Sequence, residues 1–152
     1  ALSLAAEQYG ATVVGPDDIF DVECDVFAPC AMGASLSEST IPRLRCQAVI
    51  GSANNQLATP EDADRLAARG ITYAPDFVVN AGGVINISHE ESGYDWQRAA
   101  AAVDGIREAV TDIFAIADSD GVNPVEAAIK RAKVRIETIG GLNPRLTPGG
   151  AL

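Results

Sequence analysis

Three short apolar runs in this chain each lead into a segment of small residues or carboxamides. The segments are residues 28–34 (APCAMGA), 51–57 (GSANNQL) and 80–86 (NAGGVIN). A short apolar run bounded by such residues is typical of a buried parallel strand, and the segment after it marks the carboxyl end of the strand. Open α/β sheets bind their ligands at that edge. The pattern therefore predicts an α/β fold with a parallel sheet and a small-molecule site at one edge.

Helix-forming segments alternate with the predicted strands, as they do in parallel sheets. The predicted strands are residues 12–14, 24–28 and 47–50, and a last strand broken into 71–73 and 77–79. The predicted helical segments are residues 1–9, one or two turns near 18–20, then 40–45 and 60–69. Gly10 and Gly70 stand where the first and last of these helices should end. Ser39 or Thr40 is the candidate cap of the helix that precedes residue 45.

The C-terminal third has the pattern of two long amphipathic helices. Apolar residues recur there at intervals of three and four, which predicts a helix over about 94–120. Gly121 should end it. An asparagine followed by proline then begins a second helix, over about 124–139, which a pair of glycines should close. We expect residues 1–139 to form one domain and residues 140–152 to form a flexible tail.

Charge and cysteine content exclude several classes of function. The chain has 21 acidic and 11 basic residues and a net charge of −10, without a basic stripe, so nucleic acid is not an expected partner. No apolar stretch approaches the roughly 18 residues that span a bilayer, so we expect no membrane association. The three cysteines fit neither a disulfide framework nor a metal knuckle and are expected to be buried free thiols of a cytoplasmic protein. His89 is the only histidine, so no metal site is expected.

Two of the strand-end segments contain asparagines suited to holding a planar amide. Asn54 lies among small residues, and its carboxamide supplies both a donor and an acceptor. Taken alone, however, this segment is more typical of an ordinary strand-to-helix turn in which the asparagines make local backbone bonds. Asn80 precedes Gly82 and Gly83, whose missing Cβ atoms either admit a planar ring or allow close packing. Cys30 could be taken for a nucleophile, but no histidine other than His89 is available as its base, so Cys30 is not expected to be catalytic.

Taken in this order, the segments resemble the C-terminal, nucleotide-binding domain of the Glu/Leu/Phe/Val dehydrogenase family, most closely its leucine and valine members. The resemblance covers residues 14–132 and is strongest at 22–31, 51–57 and 73–86. The spacing of 26 residues between Asn54 and Asn80 also fits this family. The resemblance implies the second half of a Rossmann-type doubly wound parallel sheet, followed by long C-terminal helices.

The resemblance also implies an activity. The family removes a hydride and then ammonia from an L-amino acid, reversibly giving a 2-oxo acid, with NAD as cofactor. The implied cofactor-binding residues are Cys30, Ala31, Ser52, Ala53, Asn54 and Asn80. Val84 and Ile87 are implied to face the substrate, and their branched walls favour leucine, valine or isoleucine, because phenylalanine-specific members have a smaller residue at the position that matches Val84. The partner is thus a small amino acid, and the parent enzyme is expected to be a homo-oligomer.

Other elements of the family are absent from the sequence. There is no Gly-x-Gly-x-x-Gly phosphate turn, no lysine before Lys130 and no initiating methionine. Lys130 and Lys133 are expected on a solvated helix face rather than in a catalytic site. The resemblance therefore implies no catalytic residue in this chain, and we expect an inactive fragment of a branched-chain amino-acid dehydrogenase. Two alternatives remain open: a non-catalytic nucleotide- or partner-binding module derived from such an enzyme, and an unrelated doubly wound enzyme such as a hydroxy-acid dehydrogenase.

Overall fold

A three-stranded parallel sheet organises the first half of the chain. The computed structural model describes residues 2–90 and 93–142. The strands are β1 (Val26–Phe27), β2 (Ala48–Val49) and β3 (Thr72–Tyr73), and they lie in the order β1-β2-β3. The fold is α/β, part of a Rossmann-like arrangement followed by helices, as the sequence predicted.

Six α-helices accompany the sheet in the described ranges. They are α1 (Leu2–Tyr9), α2 (Asp62–Ala68), α3 (Asp76–Val79), α4 (Gly82–Ser88), α5 (Trp96–Asp120) and α6 (Pro124–Leu142). Two 3₁₀ turns, Asp18–Asp21 and Ile41–Arg43, lie between α1 and α2. Each of these helices is too short or too polar to span a bilayer.

Two apolar clusters form the core. The larger one joins the sheet to α2 and to the second 3₁₀ turn, and it contains Leu36, Ile41, Leu44, Val49, Leu66, Ile71 and Tyr73. The smaller one lies between α5 and α6 and contains Ile113, Ala117, Ala127 and Ala128. Small alanines at this second contact let the two helices approach closely. The helix pair therefore packs as a unit beside the sheet.

Glycines and caps end several helices where the sequence predicted. Gly10, Gly70 and Gly121 have φ values of 65°, 68° and 67°, the left-handed region that glycine adopts at little cost. The side chain of Asn123 caps α6, because its Oδ1 accepts hydrogen bonds from the main-chain N–H of Val125 and of the next residue, both at 3.0 Å.

The glycine pair that was expected to close α6 does not do so. Gly140 and Gly141 both lie inside the helix, which continues to Leu142, and neither has a positive φ. Glycine in a helix costs only about 1 kcal/mol relative to alanine, so it stops a helix only where the backbone also turns left-handed. The predicted tail from residue 143 onward lies outside the described residues.

The expected broken strand over 71–79 is a strand only in its first part. β3 covers Thr72–Tyr73, but residues 76–79 form the one-turn helix α3. The carbonyl of Pro75 accepts hydrogen bonds from the N–H groups of Val78 and Val79, at 2.9 and 3.1 Å. A run of three apolar residues does not distinguish strand from helix, and the prediction for 77–79 was wrong for that reason.

The third strand-end segment is consequently helical and not a loop, since α4 includes most of residues 80–86. The other two segments do follow strands. We call residues 28–34, after β1, the first loop, and residues 51–57, after β2, the second loop. Both leave the sheet at its carboxyl edge, because β1 and β2 are parallel.

Three smaller expectations also differ from the structure. Residues 12–14 are not a strand, since they pair with no described strand and Val13 is half exposed. Thr40 precedes the second 3₁₀ turn, but its hydroxyl donates to the carbonyl of Ser35, at 2.7 Å, rather than capping the turn. The helix expected from residue 60 begins at Asp62, whose Oδ2 accepts from the main-chain N–H of Thr59 at 2.8 Å.

Candidate functional site

The first and second loops form one continuous surface at the carboxyl edge of the sheet. The N–H of Ala53 donates to the carbonyl of Pro29 at 2.9 Å, and the N–H of Ala34 donates to the carbonyl of Asn55 at 2.7 Å. Gly51 lies so close to the first loop that a Cβ atom on it would stand 2.1 Å from the oxygen of Pro29. Glycine is therefore required at position 51 for the two loops to meet.

A buried glutamine fixes the shape of the second loop. Gln56 is fully buried, and its Nε2 donates to the carbonyls of Gly51 and Ala53, at 2.8 and 2.9 Å. Its Oε1 has no hydrogen-bond partner among the described residues. Because both amide hydrogens are used within the loop, the carbonyls of the loop are held inward. Sequence reasoning assigned Gln56 no role, although it lies inside the segment singled out.

Asp76 joins the second loop to α3. The carboxylate is buried at the start of that helix, and its Oδ2 accepts the main-chain N–H of Gln56 at 3.1 Å. The main-chain N–H of Asp76 in turn donates to the hydroxyl of Tyr73, at 3.4 Å. Burial, and next the charge of Asp76, raise the pKa of the Tyr73 phenol above its usual range, so this hydroxyl stays neutral at physiological pH. Sequence reasoning also missed this contact.

The two predicted asparagines meet at this edge. Nδ2 of Asn80 donates to Oδ1 of Asn54 at 2.5 Å and also approaches the carbonyl of Ala53 at 3.5 Å. Nδ2 of Asn54 and Oδ1 of Asn80 have no partner among the described residues. Both side chains line a hollow of about 500 Å³, together with Gly83 and Val84. The pair thus offers one free donor and one free acceptor, the complement of a carboxamide group.

Of the remaining predicted site residues, Val84 lines this hollow and the other five do not. Cys30, Ala31 and Ser52 are exposed on the two loops. The hydroxyl of Ser52, and then its main chain, hydrogen-bond the thiol of Cys30 and lower the pKa of that thiol. On α4, Val84 is 67% exposed at the hollow, and Ile87 is 62% exposed one turn further along and does not line it.

The cysteines differ from the expectation of buried thiols. All three are free, but Cys30 is exposed, and Cys24 and Cys46 are only partly buried. In the part of the chain that the structure describes, no three His, Cys, Asp or Glu side chains come together as a metal site. Lys130 lies on α6, where its ammonium group contacts Oδ2 of Asp120 at 2.5 Å, and does not line the hollow.

Several known proteins are similar to this chain in sequence and in fold. The family model for Glutamate/Leucine/Phenylalanine/Valine dehydrogenase matches residues 3–137. A leucine dehydrogenase from Thermoactinomyces intermedius is 50% identical over 133 residues, which are 88% of this chain and 36% of that protein. A phenylalanine dehydrogenase from Bacillus thermotolerans is 41% identical over 132 residues, 87% of this chain and 35% of that protein.

A solved structure agrees with these matches. The crystal structure of L-tryptophan dehydrogenase from Nostoc punctiforme superimposes with a TM-score of 0.87 at 42% identity, covering 90% of this chain and 41% of that one. The chain spans little more than a third of the length of the curated relatives just named. Since the family model covers most of the chain, and relatives at 41 to 50% identity agree with it, the chain belongs to the Glutamate/Leucine/Phenylalanine/Valine dehydrogenase family.

Proposed function

We propose that this chain is the nucleotide-binding part of an NAD-dependent dehydrogenase that converts a branched-chain L-amino acid into its 2-oxo acid and ammonia in the cytoplasm. The observation that carries the proposal is the hydrogen-bonded pair Asn54 and Asn80, with its free donor and acceptor beside the hollow. The family supports the reaction class, and the leucine dehydrogenase relative supports an aliphatic substrate. Residues 1–139 are the proposed NAD-binding domain.

The two loops and Asn80 present groups suited to bind the nicotinamide end of NAD. The carboxamide of nicotinamide has one acceptor and one donor, which match the free Nδ2 of Asn54 and the free Oδ1 of Asn80. Ala31 is small and exposed and leaves room for the ring and its ribose, whereas Ala53 is equally small but buried. The residues Ser52 and Cys30 are exposed, and their hydroxyl and thiol are available to the ribose. NAD supplies the hydride acceptor when bound, and these residues orient it.

Branched aliphatic side chains on α4 support the choice of substrate. Val84 and Ile87 are largely exposed and three residues apart, so they lie on one face of the helix. Exposed apolar groups beside a ligand hollow are suited to contact an aliphatic substrate. Leucine and valine differ by one methylene, which such a pocket distinguishes by only about 1–3 kcal/mol. We therefore propose the class of branched-chain amino acids and not one member of it.

The chain by itself is proposed to be inactive. The residues that line the hollow include the carboxylate of Asp76 but no lysine or arginine. A substrate carboxylate and a developing negative charge need cationic groups to stabilise them in the transition state. The only two lysines of the sequence lie on α6, Lys130 in an ion pair with Asp120. The parent enzyme, proposed to be a homo-oligomer, has to supply the cationic groups.

Titration of the purified chain with NAD tests the binding part of this proposal. We expect weak, saturable binding by calorimetry that is further weakened in Asn80→Ala. Asn86→Ala is the matched control, because it also removes a carboxamide near this edge, but Asn86 lies on α4 and contacts Tyr94 outside the hollow. Equal affinity in the parent chain and Asn80→Ala contradicts the assigned role of the pair.

A chimera tests the activity. The segment of the Thermoactinomyces intermedius leucine dehydrogenase that matches this chain is replaced by this chain, and NADH formation is followed with leucine, valine, isoleucine, phenylalanine and tryptophan. We expect turnover with the three branched substrates and less with the aromatic ones, and none from the isolated chain. Preference for an aromatic substrate would overturn the substrate class, and oxidation of 2-hydroxy acids instead would overturn the reaction.

A further inference from the structure

Cys24 and Cys46 lie opposite each other in the two paired segments that lead into β1 and β2. The β1–β2 ladder and the isolated bridge between Glu23 and Arg45 both join residues that are 22 positions apart in the sequence. Cys24 and Cys46 have the same separation and lie between the bridge and the ladder. The register therefore makes them direct cross-strand neighbours.

Backbone hydrogen bonds on both sides hold the two segments together at this point. The N–H of Cys24 donates to the carbonyl of Arg45 at 3.2 Å, and the N–H of Gln47 donates to the carbonyl of Asp25 at 3.1 Å. Hydrogen-bonded strands lie about 4.8 Å apart, and paired residues point to the same side of the sheet. Disulfides join residues whose Cα atoms are about 4.4–6.8 Å apart, so the backbone spacing is within that range.

Both thiols are free and reachable. Cys24 and Cys46 are partly buried and line a cleft of about 520 Å³ at the amino ends of the strands, opposite the edge that carries the hollow. Burial raises the pKa of the Cys46 thiol, and the nearby thiol of Cys24 adds to that effect, as expected for two groups in mutual proximity. The third thiol, Cys30, lies beyond the other end of β1 and is not a competing partner within the chain.

We propose that Cys24 and Cys46 form a dithiol site, which low-molecular-weight disulfides oxidise to an intramolecular disulfide. One thiolate attacks a sulfur of the reagent and releases the first small thiol, and the second thiolate then attacks the mixed disulfide and releases the other. The two cysteines lose two electrons and two protons, and the reagent gains both and becomes two thiols. A metal is the less suitable ligand, because no third metal-binding side chain joins the pair among the described residues.

The test uses the full chain with Cys30→Ser, so that only the proposed pair reacts. The protein is treated with oxidised glutathione at mildly alkaline pH, both folded and in concentrated urea, and digested without reduction. Trypsin cleaves after Arg45 and thereby places the two cysteines on separate peptides. Disulfide formation therefore gives a cross-linked species whose mass is the sum of these two peptides less two hydrogens. We expect closure at least about tenfold faster in the folded chain, where the backbone already pairs the cysteines, than in urea, where a loop must first close.

The matched controls are Cys24→Ser and Cys46→Ser, each in the Cys30→Ser chain, which should form only the mixed glutathione disulfide. A trivalent arsenical, phenylarsine oxide, is the second probe, because it is held tightly only by two adjacent thiols. We expect one equivalent to bind, and binding to weaken at least about tenfold in either control, since one of two bonds is lost. Any of three outcomes overturns the proposal. The folded chain closes no faster than the chain in urea, both cysteines retain stable mixed disulfides, or the arsenical binds a single-cysteine chain with unchanged affinity.

Discussion

The main-chain N–H of Gln56 donates a hydrogen bond to Oδ2 of Asp76, 3.1 Å away, and thereby joins the second loop to the start of α3. Asn54 lies two residues before Gln56, and Asn80 follows α3 directly. The buried N–H of Gln56 and the buried carboxylate of Asp76 thus fix the separation of the two segments whose asparagine side chains meet at the hollow. The Asn54–Asn80 hydrogen bond depends on this contact because Asn54 is exposed and Asn80 only partly buried, so little packing holds the pair.

Replacing Asp76 should therefore destabilise the fold. In Asp76→Ala the buried N–H of Gln56 loses its acceptor, and an unpaired buried donor costs about 1–3 kcal/mol. Asp76→Asn retains a carbonyl oxygen and should lose less. Urea denaturation of both variants measures the free energy of unfolding. Asp118→Ala, which removes an exposed carboxylate from α5, is the control. Equal stability of Asp76→Ala and Asp118→Ala would contradict the role assigned to this contact.

The asparagine pair should contribute to NAD binding but little to stability. Removal of one hydrogen bond to the ligand costs about 1 kcal/mol, so Asn54→Ala and Asn80→Ala should each weaken binding by about fivefold. The double variant should lose less than the product of the two effects, because each asparagine orients the other. Calorimetric titration of the three variants measures this. If the losses of binding free energy in the two single variants add up to the loss in the double variant, the two side chains bind NAD independently.

Local signals in the sequence predicted much of the fold. Gly121 ends α5 and Asn123 caps α6 because these roles depend on a glycine's backbone or on a side chain that bonds two or three residues ahead. The parallel strands before both loops were also predicted. Residues 77–79 were not, because their three apolar side chains suit a strand or a helix. In the structure the carbonyl of Pro75 accepts the N–H groups of Val78 and Val79 in a single helical turn.

The site was only partly predictable for a different reason. Asn54 and Asn80 were identified because both follow the apolar runs of the sheet region. Gln56 and Asp76 were missed because their roles depend on burial and on a contact between residues 20 positions apart, which no local pattern indicates. A carboxamide that is buried and one that faces a ligand have the same appearance in a sequence.

Gly51 should tolerate no side chain. In Gly51→Ala the new Cβ would lie 2.1 Å from the oxygen and 2.5 Å from the nitrogen of Pro29, and both are backbone atoms that move only with the first loop. Overpacking of this kind costs about 1–3 kcal/mol or more. Gly83→Ala is the control, because a Cβ there meets nothing within 4 Å. This substitution in α4 should stabilise the chain by up to about 1 kcal/mol.

The same pair of variants also tests whether a ring lies against α4. If nicotinamide packs on Gly83, then Gly83→Ala should raise the melting temperature and yet weaken NAD binding. A stabilised variant with unchanged NAD affinity would place the ring elsewhere in the hollow. Gly51→Ala that melts like the parent chain would contradict the close approach of the two loops.

An exposed ion pair should make stability depend on pH in the acid range. Arg43 donates to both carboxylate oxygens of Asp21, at 3.2 and 2.6 Å, and this hydrogen bonding lowers the pKa of Asp21 below the ordinary value of 3.8. A carboxyl group with a lowered folded-state pKa stabilises the fold above the unfolded-state pKa. That contribution is lost as the pH falls through the folded-state pKa. Arg43→Gln should therefore melt slightly below the parent chain at neutral pH, and the two should converge in strong acid.

The matched control for this prediction is Arg45→Gln, which removes the same charge from an ion pair with Glu23 that is more exposed, at 60% and 80% for the two side chains. Solvent screens such a pair, so its removal should leave the pH dependence nearly unchanged. Melting temperatures across the acid range, at low and at high salt, give the comparison. The Arg43 effect should shrink with salt, since the Asp21 side chain is 56% exposed. A difference between Arg43→Gln and the parent chain that stays constant down to strong acid would show that Arg43 acts through contacts that do not titrate, the carbonyl of Asp17 and the ring of Phe20, and not through the carboxylate.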